Sequence, residues 1–78
     1  MMSTSLLETT LVRADRVRSF RIRQGFPTGW ETFESEGQRL VQQQHHTDWH
    51  RVEVALVSFK REIAELKEQG WREAWQSV

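Results

Sequence analysis

Residues 47–70 read T-D-W-H-R-V-E-V-A-L-V-S-F-K-R-E-I-A-E-L-K-E-Q-G, and they contain the clearest secondary-structure signal in the chain. Apolar residues recur here at alternating spacings of three and four, which places them along one side of an α-helix. Thr47 or Asp48 can cap the start of this helix, and Gly70 can end it. The pattern predicts a helix over residues 48–69 with one packing face, formed by Trp49, Val52, Leu56, Phe59, Ile63 and Leu66.

The end of the chain, residues 70–78, is an aromatic tail. If Gly70 takes the left-handed conformation of a Schellman motif, Leu66 and Trp71 come into contact. Trp71 and Trp75 are four residues apart, and Trp is enriched at protein interfaces. Two interpretations stay open. The tail folds back over the helices, or it presents Trp71, Arg72 and Trp75 to another protein.

The middle segment, residues 29–46, also predicts a helix. It starts with T-G-W-E at residues 28–31, which has the form of a capping box. On a helix its four apolar residues would fall within an arc of about 100°. On strands they would point to both faces. These residues are Trp30, Phe33, Leu40 and Val41.

The first segment, residues 5–24, begins with another capping-box pattern, S-L-L-E, and is followed by Gly25 and Pro27 as stop signals. Its apolar residues form a helical stripe, although Arg18 and Arg21 continue into the same sector. The resulting prediction is an all-α fold of three helices in a single domain, residues 1–78. Helices 29–46 and 48–69 would form an antiparallel hairpin.

An α+β alternative remains open, in which a three-stranded meander packs on the long C-terminal helix. Residues 19–24 alternate Phe20 and Ile22 with polar residues, so they can pair as a strand with residues 30–35. Glu36 and Gly37 would then form a tight hairpin turn. Gly37 inside a helix would cost about 1 kcal/mol relative to Ala, which favours this alternative.

The chain contains in order Trp30, then Leu40 and Val41, and then Asp48 and Trp49 before a Leu/Ile helix that ends in Gly. This order resembles the helical hairpins of small bacterial secretion and flagellar chaperones. This resemblance covers about half of the chain. It implies a protein that holds or blocks another protein through an exposed helix face.

Length and composition restrict the class of protein. A chain of 78 residues suffices for one small domain, which gains from a partner subunit because its core is small. Cysteine is absent, so disulfides and thiolate zinc sites are excluded. The first residues lack the basic and apolar regions of a signal peptide, and no apolar stretch approaches the roughly 20 residues of a membrane span. We therefore expect a cytoplasmic protein.

Charge is balanced overall, with eleven basic and eleven acidic residues, which argues against a general attraction to nucleic acid. Basic residues nevertheless concentrate near the start of the chain. They either pair with the acidic C-terminal half or bind phosphates, which makes a nucleic-acid-associated regulator the alternative function. The five arginines of this segment are Arg13, Arg16, Arg18, Arg21 and Arg23.

Candidate chemistry is sparse. His45, His46 and His50 suggest a metal site, but no Glu lies between His46 and His50, and a helix break there would separate them. The Ser residues lie in no recognisable catalytic motif, and no phosphate-binding loop is present. We therefore expect no enzyme, cofactor or metal. The predicted function is a protein-protein interaction module, such as a chaperone, adaptor or small inhibitor of a bacterial or phage protein, with another protein or a second copy as partner.

Overall fold

A computed structural model describes residues 5–74, which form one antiparallel sheet and one helix. The strands lie side by side in the order β4-β3-β2-β1-β5. The helix therefore leaves one edge of the sheet and returns the chain to the other edge. The elements are β1 (Ser5–Arg13), β2 (Arg16–Gln24), β3 (Trp30–Glu36), β4 (Arg39–His46), α1 (Trp49–Glu68) and β5 (Arg72–Glu73).

The all-α prediction is wrong. Residues 5–24, predicted as the first helix, form the β1–β2 hairpin, and residues 29–46, predicted as the second, form the β3–β4 hairpin. The helical hairpin does not exist, and the resemblance to secretion and flagellar chaperones loses its basis. The helix predicted over residues 48–69 is confirmed as α1.

Strand β2 shows why the first segment is extended. Phe20 and Ile22 are fully buried on the face toward α1, while Arg21 between them is exposed on the opposite face. This alternation of buried and exposed residues is typical of a strand in a sheet that has one face covered and the other in solvent. Leu11 of β1 is buried on the same side, and β1 turns into β2 through Ala14 and Asp15.

Strand β3 uses both of its faces, which the helix prediction did not anticipate. Trp30 packs against the core on the α1 side, whereas Phe33 lies on the opposite face under the guanidinium of Arg23, 4.8 Å from its ring centre. The strands of the α+β alternative do pair, with Ser19 opposite Ser35. The meander has four strands, however, and a short fifth one joins β1.

The ends of α1 confirm the predicted capping signals. The Asp48 carboxylate accepts a hydrogen bond from the His50 N–H at 3.0 Å. At the other end, Gly70 has φ +101°, and the Trp71 N–H donates to the Leu66 carbonyl at 3.0 Å. The Gly70 N–H donates to the Lys67 carbonyl at 3.1 Å, which completes a Schellman motif.

The core lies between α1 and the β1–β2 half of the sheet. The rings of Phe20 and Phe59 meet edge to face at 5.3 Å, and Trp71 is only 5% exposed. On the β3–β4 half, the buried positions facing α1 are polar, Thr32 and Glu34. The apolar core consists of Leu11, Phe20, Ile22, Val52, Phe59, Ile63, Leu66 and Trp71.

No helix within residues 5–74 combines the length and the apolar character that a bilayer span requires.

Candidate functional site

The outer edge of β4 is the most accessible backbone edge of the sheet. Within residues 5–74 no strand pairs with this side of β4, and residues 39–45 are all exposed. Native edge strands are usually protected by Lys, Pro or a bulge. Strand β4 contains neither Lys nor Pro, and the irregularity in its pairing lies at its start, near Val41. The stretch Gln42 to His46 is therefore free to pair with another chain.

A groove of about 530 Å³ runs between β4 and α1. We call it the β4–α1 groove. Buried Thr32 and Phe59 form its floor. The groove exists because polar side chains on β3 and β4 do not pack against the helix as the apolar residues of β1 and β2 do. Its walls include Gln42, Gln44 and His46 from the sheet, and Arg51, Val54, Ala55 and Ser58 from α1.

Exposed apolar side chains border this groove. Val54 lines it and is 57% exposed, and Val57 is 56% exposed in a shallow depression one turn farther out. On β4 itself, Val41 is also exposed, whereas the exposed Leu40 lies on the face away from α1, beside Phe33. Exposed valine side chains beside an open strand edge are typical of a protein-binding surface.

The charge of the groove is set by Arg51 and Asp48. The Asp48 carboxylate caps α1, where the positive end of the helix offsets its charge. Arg51 forms no ion pair with any carboxylate of residues 5–74. Its guanidinium is therefore available to an anionic group that enters the groove. The buried Nε2 atom of His46 also has no hydrogen-bond partner within the described part of the chain.

The predicted phosphate-binding arginines are split between the two faces of the sheet. Arg13 and Arg16 lie opposite each other at the β1–β2 turn, and Arg16 forms an ion pair with Glu36 at 2.6 Å. On the face away from α1, Arg21 lies 3.3 Å from Glu8. Arg23, on that same face, pairs with Glu31 at 3.9 Å. The five arginines do not form one cationic surface.

Arg18 belongs to a buried charged cluster that joins the sheet to α1. Its guanidinium donates to Glu34 and, at 2.9 Å, to Glu62 of the helix. The Gln42 side chain donates to the other oxygen of Glu34 at 2.9 Å. Partial burial, together with the nearby charge of Glu34, raises the pKa of Glu62 above 4.5. The cluster pairs the inward-facing carboxylate of Glu34, although the buried Nε of Arg18 has no partner within residues 5–74, and it is structural in character.

The pKa of Glu36 is shifted in the opposite direction from the pKa of Glu62. Its hydrogen bond from Arg16 lowers the pKa of the Glu36 carboxyl below 4.5.

The fold places His46 and His50 on the same groove and His45 on the other face of the sheet. His45 lies on the face away from α1, with its Nδ1 3.8 Å from a Glu31 oxygen. His46 faces the β4–α1 groove, and His50 lies in the first turn of α1. No group of three potential metal ligands comes together within residues 5–74.

Two of the three predicted partner-binding residues, Trp71 and Arg72, lie at the other edge of the sheet. Trp71 is part of the core and offers no exposed ring. Arg72 is exposed in β5. Trp75 lies outside the described residues.

The groove itself was missed by the sequence analysis, although a signal for it existed. Val54 and Val57 lie in the helical segment but off its predicted apolar stripe, and exposed valines on the wrong side of a helix indicate a second contact surface. No such signal marks Gln42 and Gln44. In the sequence they are ordinary polar residues, and their place in the groove follows only from the position of β4 at the sheet edge.

Comparisons with protein-family models, with curated proteins and with solved structures find no match for this chain.

Proposed function

We propose that this protein is a non-enzymatic protein-binding module that takes up an extended segment of its partner along the outer edge of β4. The observation that carries this proposal is the stretch Gln42 to His46, which has no strand on its outer side within residues 5–74 and lies beside the β4–α1 groove. A cytoplasmic chaperone, adaptor or inhibitor would use such a surface.

Strand addition explains the features of this edge together. An incoming strand forms main-chain hydrogen bonds with the unpaired side of β4, and its alternate side chains enter the neighbouring groove. At about 3.4 Å per residue, pairing along Gln42 to His46 spans about 17 Å. The backbone contacts supply affinity, and the groove supplies selectivity.

The nucleic-acid alternative has weaker support. Four of the five arginines of residues 13–23 are paired with carboxylates, and Arg18 is partly buried in its pair. Phosphate binding at these positions would require the existing ion pairs to be broken. The β4 edge needs no such rearrangement.

The proposal is tested with a photo-cross-linking amino acid placed at Val41. The matched control is Val17, which is also an exposed valine but lies on β2, between two neighbouring strands. We expect irradiation in extracts of the native host to give protein adducts from position 41 and none from position 17, detected by mass spectrometry. Equal adducts from both positions, or none from position 41, would contradict the proposal.

A further inference from the structure

We propose that the segment bound along β4 has an apolar side chain and, two residues away from it in either direction, an Asp or Glu that pairs with Arg51. This inference rests on the function proposed above and specifies the chemistry of the partner. It follows from the composition of the groove and from its charge.

The apolar requirement comes from the middle of the groove. Phe59 is exposed by only 4% and Thr32 by 2%, so the floor is closed and holds no charge. Val54 and Ala55 form the adjacent wall on α1. A valine or leucine inserted here would cover the exposed part of Val54, and removal of this apolar surface from water favours binding.

The acidic requirement comes from the end of the groove where α1 begins. Arg51 lines this end together with Gln44, His46 and Asp48, whose carboxylate is engaged as the cap of α1 by the His50 N–H. Successive side chains on one face of a strand are two residues apart, which matches the alternation of groove-facing residues Gln42, Gln44 and His46. A carboxylate at the position next to the apolar side chain would reach Arg51, for which planar two-point pairing is favourable.

A second copy of this chain fits the same edge poorly. Two β4 strands paired antiparallel would bring both helices onto the same face of a continuous sheet. Arg39 is the one charged residue of β4 at neutral pH, β4 contains no acidic residue, and the two Arg51 side chains would border the same seam. Like charges that meet across an interface weaken association. Charge complementarity therefore favours an acidic partner strand.

The test uses the full chain and three fluorescein-labelled peptides with blocked ends. They are T-E-T-V-T-E-T, its lysine analogue T-K-T-V-T-K-T and its serine analogue T-E-T-S-T-E-T, which present the same side chains in either strand direction. We expect fluorescence anisotropy to give the first peptide an affinity about tenfold higher than either analogue, since one pair of charges or one buried side chain is worth about that factor.

Charge reversal on the protein identifies the contact. Arg51→Glu should reverse the preference, so that the lysine peptide binds about tenfold more tightly than the glutamate peptide. The matched control is Arg72→Glu, an exposed arginine at the opposite edge of the sheet, which should leave the order of affinities unchanged. Circular dichroism of both variants checks that the fold is retained.

Several results would overturn this inference. They are equal affinity for the glutamate and lysine peptides, no binding of any peptide at 1 mM, or a loss of preference caused by Arg72→Glu and not by Arg51→Glu. Light scattering that shows a dimer, abolished by Val54→Glu but not by Ala64→Glu at another exposed helix position, would assign the groove to a second copy. In each case, adducts from position 41 would still support the proposed function, because that experiment is independent of partner charge.

Discussion

Arg18 is the residue on which the polar half of the inner sheet surface depends. It is the cation that contacts Glu34, whose side chain is 6% exposed. A buried ion pair contributes little net stability when intact, but loss of one partner leaves the other charge buried and unpaired. This penalty does not arise for the exposed pair of Arg21 and Glu8, because water solvates the charge that remains when one partner is lost.

We therefore expect Arg18→Met to lower the free energy of unfolding by about 3 to 5 kcal/mol at pH 7. Arg21→Met is the matched control on the same strand and should cost less than about 1 kcal/mol. Urea denaturation followed by circular dichroism measures both values. Equal losses in the two variants would show that Arg18 acts through its aliphatic stem and not through its charge.

Glu62 and Glu36 predict opposite dependences of stability on pH. The pKa of Glu62 is raised in the fold, so between 4.5 and the folded value the unfolded chain releases a proton that the fold keeps, and stability falls as pH rises. Glu62→Gln removes this loss, and its stability relative to wild type should increase from pH 4 to pH 7.

The pKa of Glu36 is lowered by Arg16, so its contribution is present above 4.5 and disappears as pH falls through the folded value. Glu36→Gln should therefore be less stable than wild type at pH 7, and this difference should vanish in acid. Thermal melts between pH 3 and pH 7 measure both variants. A change of the same sign in the two series would contradict the assignment.

Among the elements, α1 could be predicted from the sequence because its signals are local. Six apolar positions, the Asp48 cap and the Gly70 stop all lie within the helix or next to it. The sheet could not be identified in the same way. Glu34 occupies an inward position where the alternating pattern of a strand predicts an apolar residue, and its burial depends on donors from other strands, Arg18 and Gln42. Phe33 faces outward for a similar reason, because Arg23 covers it.

The β1–β2 turn is an element whose sequence does not suit its backbone. Ala14 has φ +54°, a left-handed conformation that favours glycine or asparagine. We expect Ala14→Gly to raise the free energy of unfolding by about 0.5 kcal/mol. The reason is that the strain energy relieved in the fold is larger than the free energy by which glycine's flexibility stabilises the unfolded chain. In the helix, Ala64→Gly should instead lower stability by about 1 kcal/mol. Differential scanning calorimetry of the two variants should show melting temperatures that move in opposite directions.

For the whole molecule, the candidate site depends on topology more than on any motif. The β4 edge is open because the chain leaves β4 through α1 and ends its described part beside β1, where β5 pairs with Leu11 and Val12 of the opposite edge. No strand edge is expected when residues 29–46 are assigned to a helix. The positions of Val54 and Val57 off the apolar stripe can be identified from the sequence, but the β4 surface beside them cannot.

This topology also predicts that the helix and the sheet unfold together. Trp71 lies at the end of α1 and directly before β5, and it is buried in the shared core. Trp71→Ala should cost about 3 to 5 kcal/mol. A chain of 78 residues has a total stability of only about 4 to 12 kcal/mol, so this variant should be close to unfolding at room temperature.

Helix content by circular dichroism at 222 nm and the fluorescence of the remaining tryptophans should then give one coincident urea transition, at a lower midpoint than in wild type. The neighbouring Arg72→Ala variant is the control, because Arg72 is exposed and should change stability by less than about 0.5 kcal/mol. If Trp71→Ala retained the helical signal after the fluorescence transition was complete, α1 would be an independent unit. The pairing of β5 with β1 would then contribute little to the stability of α1.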